Sequence, residues 1–172
     1  GVHEIPSTLT LPHALNLHGI AGETEIRFAS YNVSNGDVLN FVGTYSEEII
    51  IKDIVFRNAG GYGLLIKKVD VVELRNCRFY NNGWDGTQLH TVLASSVSGL
   101  LGYDSTNTAL QAFYAGSHAS NGGAVRLEEV RKPLIRENRA ENNLRGFRIQ
   151  DCGINGGGFV IENQSISNIE SG

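Results

Sequence analysis

Methionine is absent from the 172 residues, even at position 1. Translation begins with methionine, so a processed product or a piece of a longer chain is expected. Cysteine is scarce too: Cys77 and Cys152 are too few for a disulfide framework and stand in no metal-binding Cys-x-x-Cys spacing. Three prolines against 21 glycines, without a Gly-X-Y period, exclude collagen and argue against a disordered linker. No run nears the ~18 to 20 apolar residues that span a bilayer, and Gly1-Val2-His3-Glu4 has neither the basic start nor the apolar stretch of a signal peptide. No membrane span is expected. An excess of positive charge is also missing, since the net charge is -4, so nucleic acid is not an expected partner.

What is present is enough apolar residue, 41% of the chain, for one domain with a sizeable core. Charge is uneven along it. Residues 1 to 50 carry one base, Arg27, against six acids, whereas residues 126 to 148 carry seven bases against four acids. One region can therefore meet an anionic partner although the chain as a whole is acidic.

Self-similarity is the strongest signal. Residues 63 to 82, Gly-Leu-Leu-Ile-Lys-Lys-Val-Asp-Val-Val-Glu-Leu-Arg-Asn-Cys-Arg-Phe-Tyr-Asn-Asn, align without a gap on residues 124 to 143, Ala-Val-Arg-Leu-Glu-Glu-Val-Arg-Lys-Pro-Leu-Ile-Arg-Glu-Asn-Arg-Ala-Glu-Asn-Asn. Apolar or small residues recur at Leu64, Ile66, Val69, Val72, Leu74, Cys77 and Phe79, and again at Val125, Leu127, Val130, Pro133, Ile135, Asn138 and Ala140. Partial copies precede the first by 23 residues, from Ile49 to Asn58, and follow the second by 26, from Val160 to Asn168. Gly63, Gly86 and Ala109 continue the 23-residue pitch as further strand starts. Inward positions step by two and then three, which is strand alternation broken by bends and not a helical 3.6 period. Such a unit cannot bury its apolar face alone, but copies stacked ~4.8 Å apart pair each backbone group with the coil above and below. The expected fold is all-β: a parallel β-helix of about six rungs with a period of about 22 to 26 residues, forming a single domain over residues 1–172. A leucine-rich repeat has a similar period but calls for Leu-x-x-Leu-x-Leu-x-x-Asn, where this chain offers β-branched and aromatic residues at two-residue spacing. Loop insertions are expected near 93–108, 116–123 and 153–158, where the repeat weakens into Gly, Ser and Asn.

These units, with the N-terminal strand, turn and strand from Ile5 to Phe28, resemble the right-handed parallel β-helix, or pectate-lyase-like, superfamily. That resemblance implies polysaccharide lyases, hydrolases or epimerases, and equally non-catalytic adhesins and phage tail parts. It implies a secreted or extracellular location, at the cell surface, in the periplasm or on a virion. A solenoid end needs a cap, so a fragment, or a chain capped by another subunit, is expected.

Stacking the strand after each small residue aligns Lys67-Lys68, His90-Thr91, Phe113-Tyr114, Glu128-Glu129 and Gln150-Asp151 on one outer face, beside Arg126 and Arg148. Arginine forks grip carboxylates and aromatic rings pack on sugar faces, so the expected ligand is an acidic polysaccharide. A uronate lyase or epimerase needs a cation to neutralise the carboxylate and groups to move the C5 proton. Lys67, His90, Arg126 and Arg148 are the catalytic candidates. Trp84, Phe113, Tyr114, Glu128 and Asp151 are the substrate-binding candidates, with Glu128 and Asp151 as the carboxylate pair if the reaction is hydrolysis. Departures from the family patterns are plain: there is no paired-Asp and Gly-His-Gly set of the polygalacturonase type and no Asp-Pro-His of the mannuronan epimerase type, and Arg148-Ile149-Gln150 is only partly similar to Arg-Ile-Lys. Asn81-Asn82-Gly83-Trp84-Asp85-Gly86 resembles the Asn-x-Asp-Asp-Gly turn of calcium-dependent polysaccharide lyases with one Asp missing. Calcium at Asp85 is the single cofactor candidate. The alternative reading is a structural or receptor-binding solenoid, an adhesin segment or a phage tail appendage. A monomer is expected of an enzyme and a trimer of an appendage. Cys77 and Cys152 are expected as inward-facing free thiols.

Overall fold

The computed structural model describes residues 1–32, 34–83, 122–153, 157–166 and 168. Its strands recur in threes. The first coil is β1 (Val2–Glu4), β2 (Leu9–Thr10) and β3 (Asn16–His18), and the second is β4 (Thr24–Arg27), β5 (Leu39–Val42) and β6 (Glu48–Lys52). Next come β7 (Ile54–Arg57), β8 (Tyr62–Lys67) and β9 (Val71–Arg75), then β10 (Arg78–Tyr80), β11 (Gly123–Glu128) and β12 (Lys132–Arg136). The last are β13 (Arg139–Glu141), β14 (Phe147–Gln150), β15 (Phe159–Ile161) and β16 (Gln164–Ile166). Every third strand joins the same sheet. Sheet A runs β1-β4-β7-β10-β13-β16, sheet B β2-β5-β8-β11-β14 and sheet C β3-β6-β9-β12-β15, and each pairing is parallel. Among the described residues no helix is long and apolar enough to cross a membrane.

The alternation predicted from sequence is the one observed. Leu64, Ile66, Val72, Leu74, Phe79, Val125, Leu127, Ile135 and Ala140 are fully buried in one core shared by the three sheets. Phe56 and Phe79 stack in that core with ring centroids 5.2 Å apart, and Phe147 meets Phe79 edge-on at 6.4 Å. Such ring contacts between adjacent coils add to the aliphatic burial that holds stacked units together.

Corners are built by two devices. Many bends carry a non-glycine residue with positive φ: Tyr45, Lys68, Glu129 and Asp151 between sheets B and C; Asp53, Asn76, Glu137 and Glu162 between C and A; Asn58, Asn81 and Asn142 after sheet A. A single left-handed residue turns the chain sharply between two extended segments, and Asn or Asp tolerates that conformation best. Just inside two of these bends, buried asparagines form ladders. Asn82 Nδ2 donates to Phe56 O at 3.2 Å and to Asn143 Oδ1 at 3.0 Å, and Asn143 Nδ2 donates to Phe79 O and to Asn168 Oδ1, each at 3.1 Å. The second column runs through Cys77, Asn138 and Asn163: Cys77 N–H donates to Asn138 Oδ1 at 2.9 Å, and Asn138 N–H to Asn163 Oδ1 at 3.0 Å. The last interval is 25 residues, one fewer than the sequence alignment suggests.

One expectation is corrected. β8 pairs directly with β11, Leu64 to Val125 and Ile66 to Leu127, and β10 pairs directly with β13. The copies 61 residues apart are therefore consecutive coils. No strand stands between β8 and β11, where the period placed strands beginning at Gly86 and Ala109. The physical reason is that a coil needs three strands and its asparagine corners. Residues 63 to 82 and 124 to 143 carry the whole pattern, while the stretches after Gly86 and Ala109 carry only its opening. Gly83 after β10 and Gly122 before β11 lie against each other, and a Cβ on Gly122 would come within 2.7 Å of Gly83 Cα. Gly83 also holds φ at +72°, so glycine is required there on two counts. Gly122 and Gly123, the latter already in β11, are described, and the rest of the expected insertions at 93–108 and 116–123 lies outside the described residues.

Candidate functional site on the outer face of sheet B

Outward positions of sheet B alternate with the core residues, which places Asn40, Leu65, Arg126 and Arg148 in one row across four coils. Val42, Lys67, Glu128 and Gln150 form the next row. Three of the four expected catalytic residues, Lys67, Arg126 and Arg148, thus share a face with Glu128. Lys67 Nζ lies 2.9 Å and Arg126 Nη2 2.7 Å from the same Glu128 oxygen, Oε2. The hydrogen bond from Lys67, together with the charge of Arg126, holds the Glu128 carboxyl below its usual range although burial opposes it. Arg148 Nη2 donates to Gln150 Oε1 at 3.3 Å, and Gln150 Nε2 reaches Asp151 Oδ2 at 3.3 Å. Asp151 sits at the positive-φ bend that ends β14, exposed, one row beyond Glu128.

In this column Glu128 follows Lys67 directly and Gln150 follows Glu128, while His90, Phe113 and Tyr114 were expected between Lys67 and Glu128. They lie outside the described residues, as do Trp84 and Asp85. Among the described residues no cluster of three or more His, Cys, Asp or Glu is spaced to hold a metal.

Asp37 belongs to this face and was overlooked in the sequence. Its Oδ1 accepts the Tyr62 N–H at 2.7 Å, and Asn40 Nδ2 approaches its Oδ2 at 3.4 Å. Burial pushes the Asp37 carboxyl up, against these hydrogen bonds and against the positive charges of Arg126 and Lys67. The Arg126 guanidinium also lies 6.0 Å from the centroid of the buried Tyr62 ring. The only sequence signal for Asp37 is its offset of 25 residues from Tyr62, which matters once the register is known.

Cys77 is buried and free, and burial pushes its thiol up to about 12. Cys152 is also free but only partly buried, since β14 is the last strand of sheet B.

Three parallel sheets wound from successive coils, with asparagine corners, define a right-handed solenoid whose sheet B carries Lys67, Arg126, Glu128 and Arg148 on its outer side. Residues 30–172 match the family described as the right handed beta helix region, and the chain belongs to that family. No curated protein and no solved structure matches the chain significantly.

Proposed function

We propose that this β-helix binds an acidic polysaccharide along the outer face of sheet B, in a secreted or extracellular setting. The observation that supports this reading is the register of Lys67, Arg126 and Arg148 on three consecutive coils, the first two of them meeting at the Glu128 carboxylate. Charge-assisted, bidentate bonds from arginine to a uronate carboxylate are strong and directional, and the coil spacing of ~4.8 Å repeats them along a linear polymer. In a lyase or epimerase these cations neutralise the uronate carboxylate, which acidifies the C5 hydrogen. A base then removes that proton. The lyase expels the C4 oxygen and leaves a double bond, whereas the epimerase returns a proton to the opposite face. Asp37, a half-buried carboxyl with a raised pKa beside this face, is the group we assign to proton exchange.

A second reading, a non-catalytic structural or receptor-binding solenoid, is favoured by the pairing of Glu128 with both Lys67 and Arg126. That pairing suits a surface that grips a ligand as a unit and leaves Lys67 tied to a carboxylate. One experiment separates the readings: incubation with a panel of uronate polymers, following absorbance of the unsaturated product, beside measured binding to the same polymers. Binding lost in Arg148→Gln, with product formed only by the wild type, supports the enzyme. Binding lost without product supports the solenoid, and a trimer in solution assigns it to an appendage. Equal binding to neutral and acidic polymers overturns both.

A further inference from the structure

Sheet C carries a second row of cations that the face above does not use. Beyond His18, register places Lys52, Arg75 and Arg136 in line on three consecutive outward positions. Adjacent strands lie ~4.8 Å apart, so these like charges repel one another over a short distance. Two are compensated: Lys52 Nζ lies 3.0 Å from Glu73 and Arg75 Nε 2.8 Å from Glu137. Arg136 has no ion-pair partner among the described residues. Neither has Arg78, which is exposed just past the bend between sheets C and A. Folding stability gives no reason to hold these two charges unpaired beside others of the same sign.

A groove of about 330 Å³ opens at that bend, lined by Asn76, Arg78, Glu137, Arg139, Glu162 and Gln164. Glu137 is engaged by Arg75, and Arg139 by Glu141 at 2.7 Å, so Arg78 and Glu162 are the charges left to a ligand. Carboxylate and amide oxygens accept from sugar hydroxyls, while Arg78 and Arg136 donate to an anion. Beside the cation row, Leu134 and Phe159 occupy neighbouring outward positions, and Phe159 is 40% exposed, an apolar ring available to a sugar face.

We propose that the outer face of sheet C and the groove at its edge form a second binding track, for a linear anionic polysaccharide lying parallel to the coil axis. The ligand class is shared with the reading given above, but the residues are not, and the two tracks stand on different sheets. The net charge of -4 opposes any polyanion that is held by charge alone, which favours a ligand that also uses the groove and the ring. B-form DNA presents a charge about every 3.4 Å per strand, out of step with the coils, whereas a polymer with one anion per coil spacing stays in register.

The test measures binding of polygalacturonate, and of neutral dextran of the same length, over a range of salt concentrations. It compares the wild type with Arg78→Gln/Arg136→Gln, with Arg126→Gln/Arg148→Gln, and with all four changes together. Loss of Arg78 and Arg136 is expected to weaken polygalacturonate binding about tenfold and to flatten its salt dependence, in both backgrounds. Arg136→Lys, which keeps the charge, is expected to retain most of the affinity and shows that a loss is not a folding defect. If Arg126→Gln/Arg148→Gln removes all binding while Arg78→Gln/Arg136→Gln changes nothing, the sheet C track is wrong and the sheet B face stands. The opposite pattern overturns the sheet B face alone. No binding by the wild type, equal binding of dextran, or tighter binding of a single-stranded oligonucleotide overturns the track.

Discussion

Asn82 Nδ2 donates to Asn143 Oδ1 across 3.0 Å although 61 residues separate them in the chain. Both side chains are fully buried, and each also serves a carbonyl of the coil below, Phe56 for Asn82 and Phe79 for Asn143. A buried amide is tolerated only when its donors and acceptor are used, and here one side chain ties the coils on either side of it.

Replacing Asn143 by Ala is therefore expected to be costly. The change leaves Asn82 N–H and Phe79 O without these partners in the core, at about 2 to 3 kcal/mol in total. Urea denaturation should show a lower midpoint with an unchanged slope. An effect below about 0.5 kcal/mol would show that the ladder is ornamental.

Lys68 holds φ at 56° on an exposed bend where the neighbouring coil has Glu129 at 54°. Lys68→Gly relieves the Cβ crowding of the left-handed region and is expected to stabilise by about 0.5 to 1 kcal/mol despite greater freedom when unfolded. Lys68→Val is expected to destabilise by about 1 to 2 kcal/mol, because a β-branched residue is worst suited to that region. Thermal melts of the two variants should move in opposite directions.

Glu128 and Asp37 tilt the pH dependence of stability oppositely. The folded-state pKa of Glu128 is depressed, so its contribution is present above the unfolded value near 4.3 and is lost as pH falls through the folded value. The folded-state pKa of Asp37 is raised, so its contribution is present below the unfolded value near 3.9 and is lost as pH rises through the folded value. Denaturation midpoints between pH 3 and 7 are expected to rise less steeply with pH in Glu128→Gln and more steeply in Asp37→Asn than in the wild type.

Cys77 stands in the ladder position that Asn138 and Asn163 hold on later coils, with Sγ directed to Ile51 O at 3.7 Å where Asn138 Nδ2 reaches Leu74 O at 3.0 Å. Its thiol, pushed up to about 12, should resist alkylation at pH 8 in the folded protein while Cys152 reacts faster. Cys77→Asn extends the ladder by one coil and is expected to raise stability by about 1 kcal/mol. A loss of stability in that variant would mean the slot is too small for an amide.

The gapless alignment of residues 63 to 82 with 124 to 143 already contained the core: inward residues such as Leu64, Ile66, Leu127 and Ile135 were readable because side chains alternate across a strand whatever the chain does elsewhere. The asparagines at the corners were equally visible, since few other residues suit a tight bend that must also satisfy buried backbone groups. Which coil lies on which was a different matter. Period alone placed His90 and Phe113 between Lys67 and Glu128, but β8 pairs with β11 because the intervening chain lacks the complete set of strands and corners that a neighbouring coil must present. Asp37 shows the same division. Nothing in its local sequence marks it, and its raised pKa arises only because the folded coils bury it, against the opposing pull of Tyr62 N–H and Arg126. Alternation and bend chemistry are local properties of a chain and can be read along it. Stacking order and the charge environment of a face depend on which distant segments hydrogen-bond to each other, and that was settled by folding.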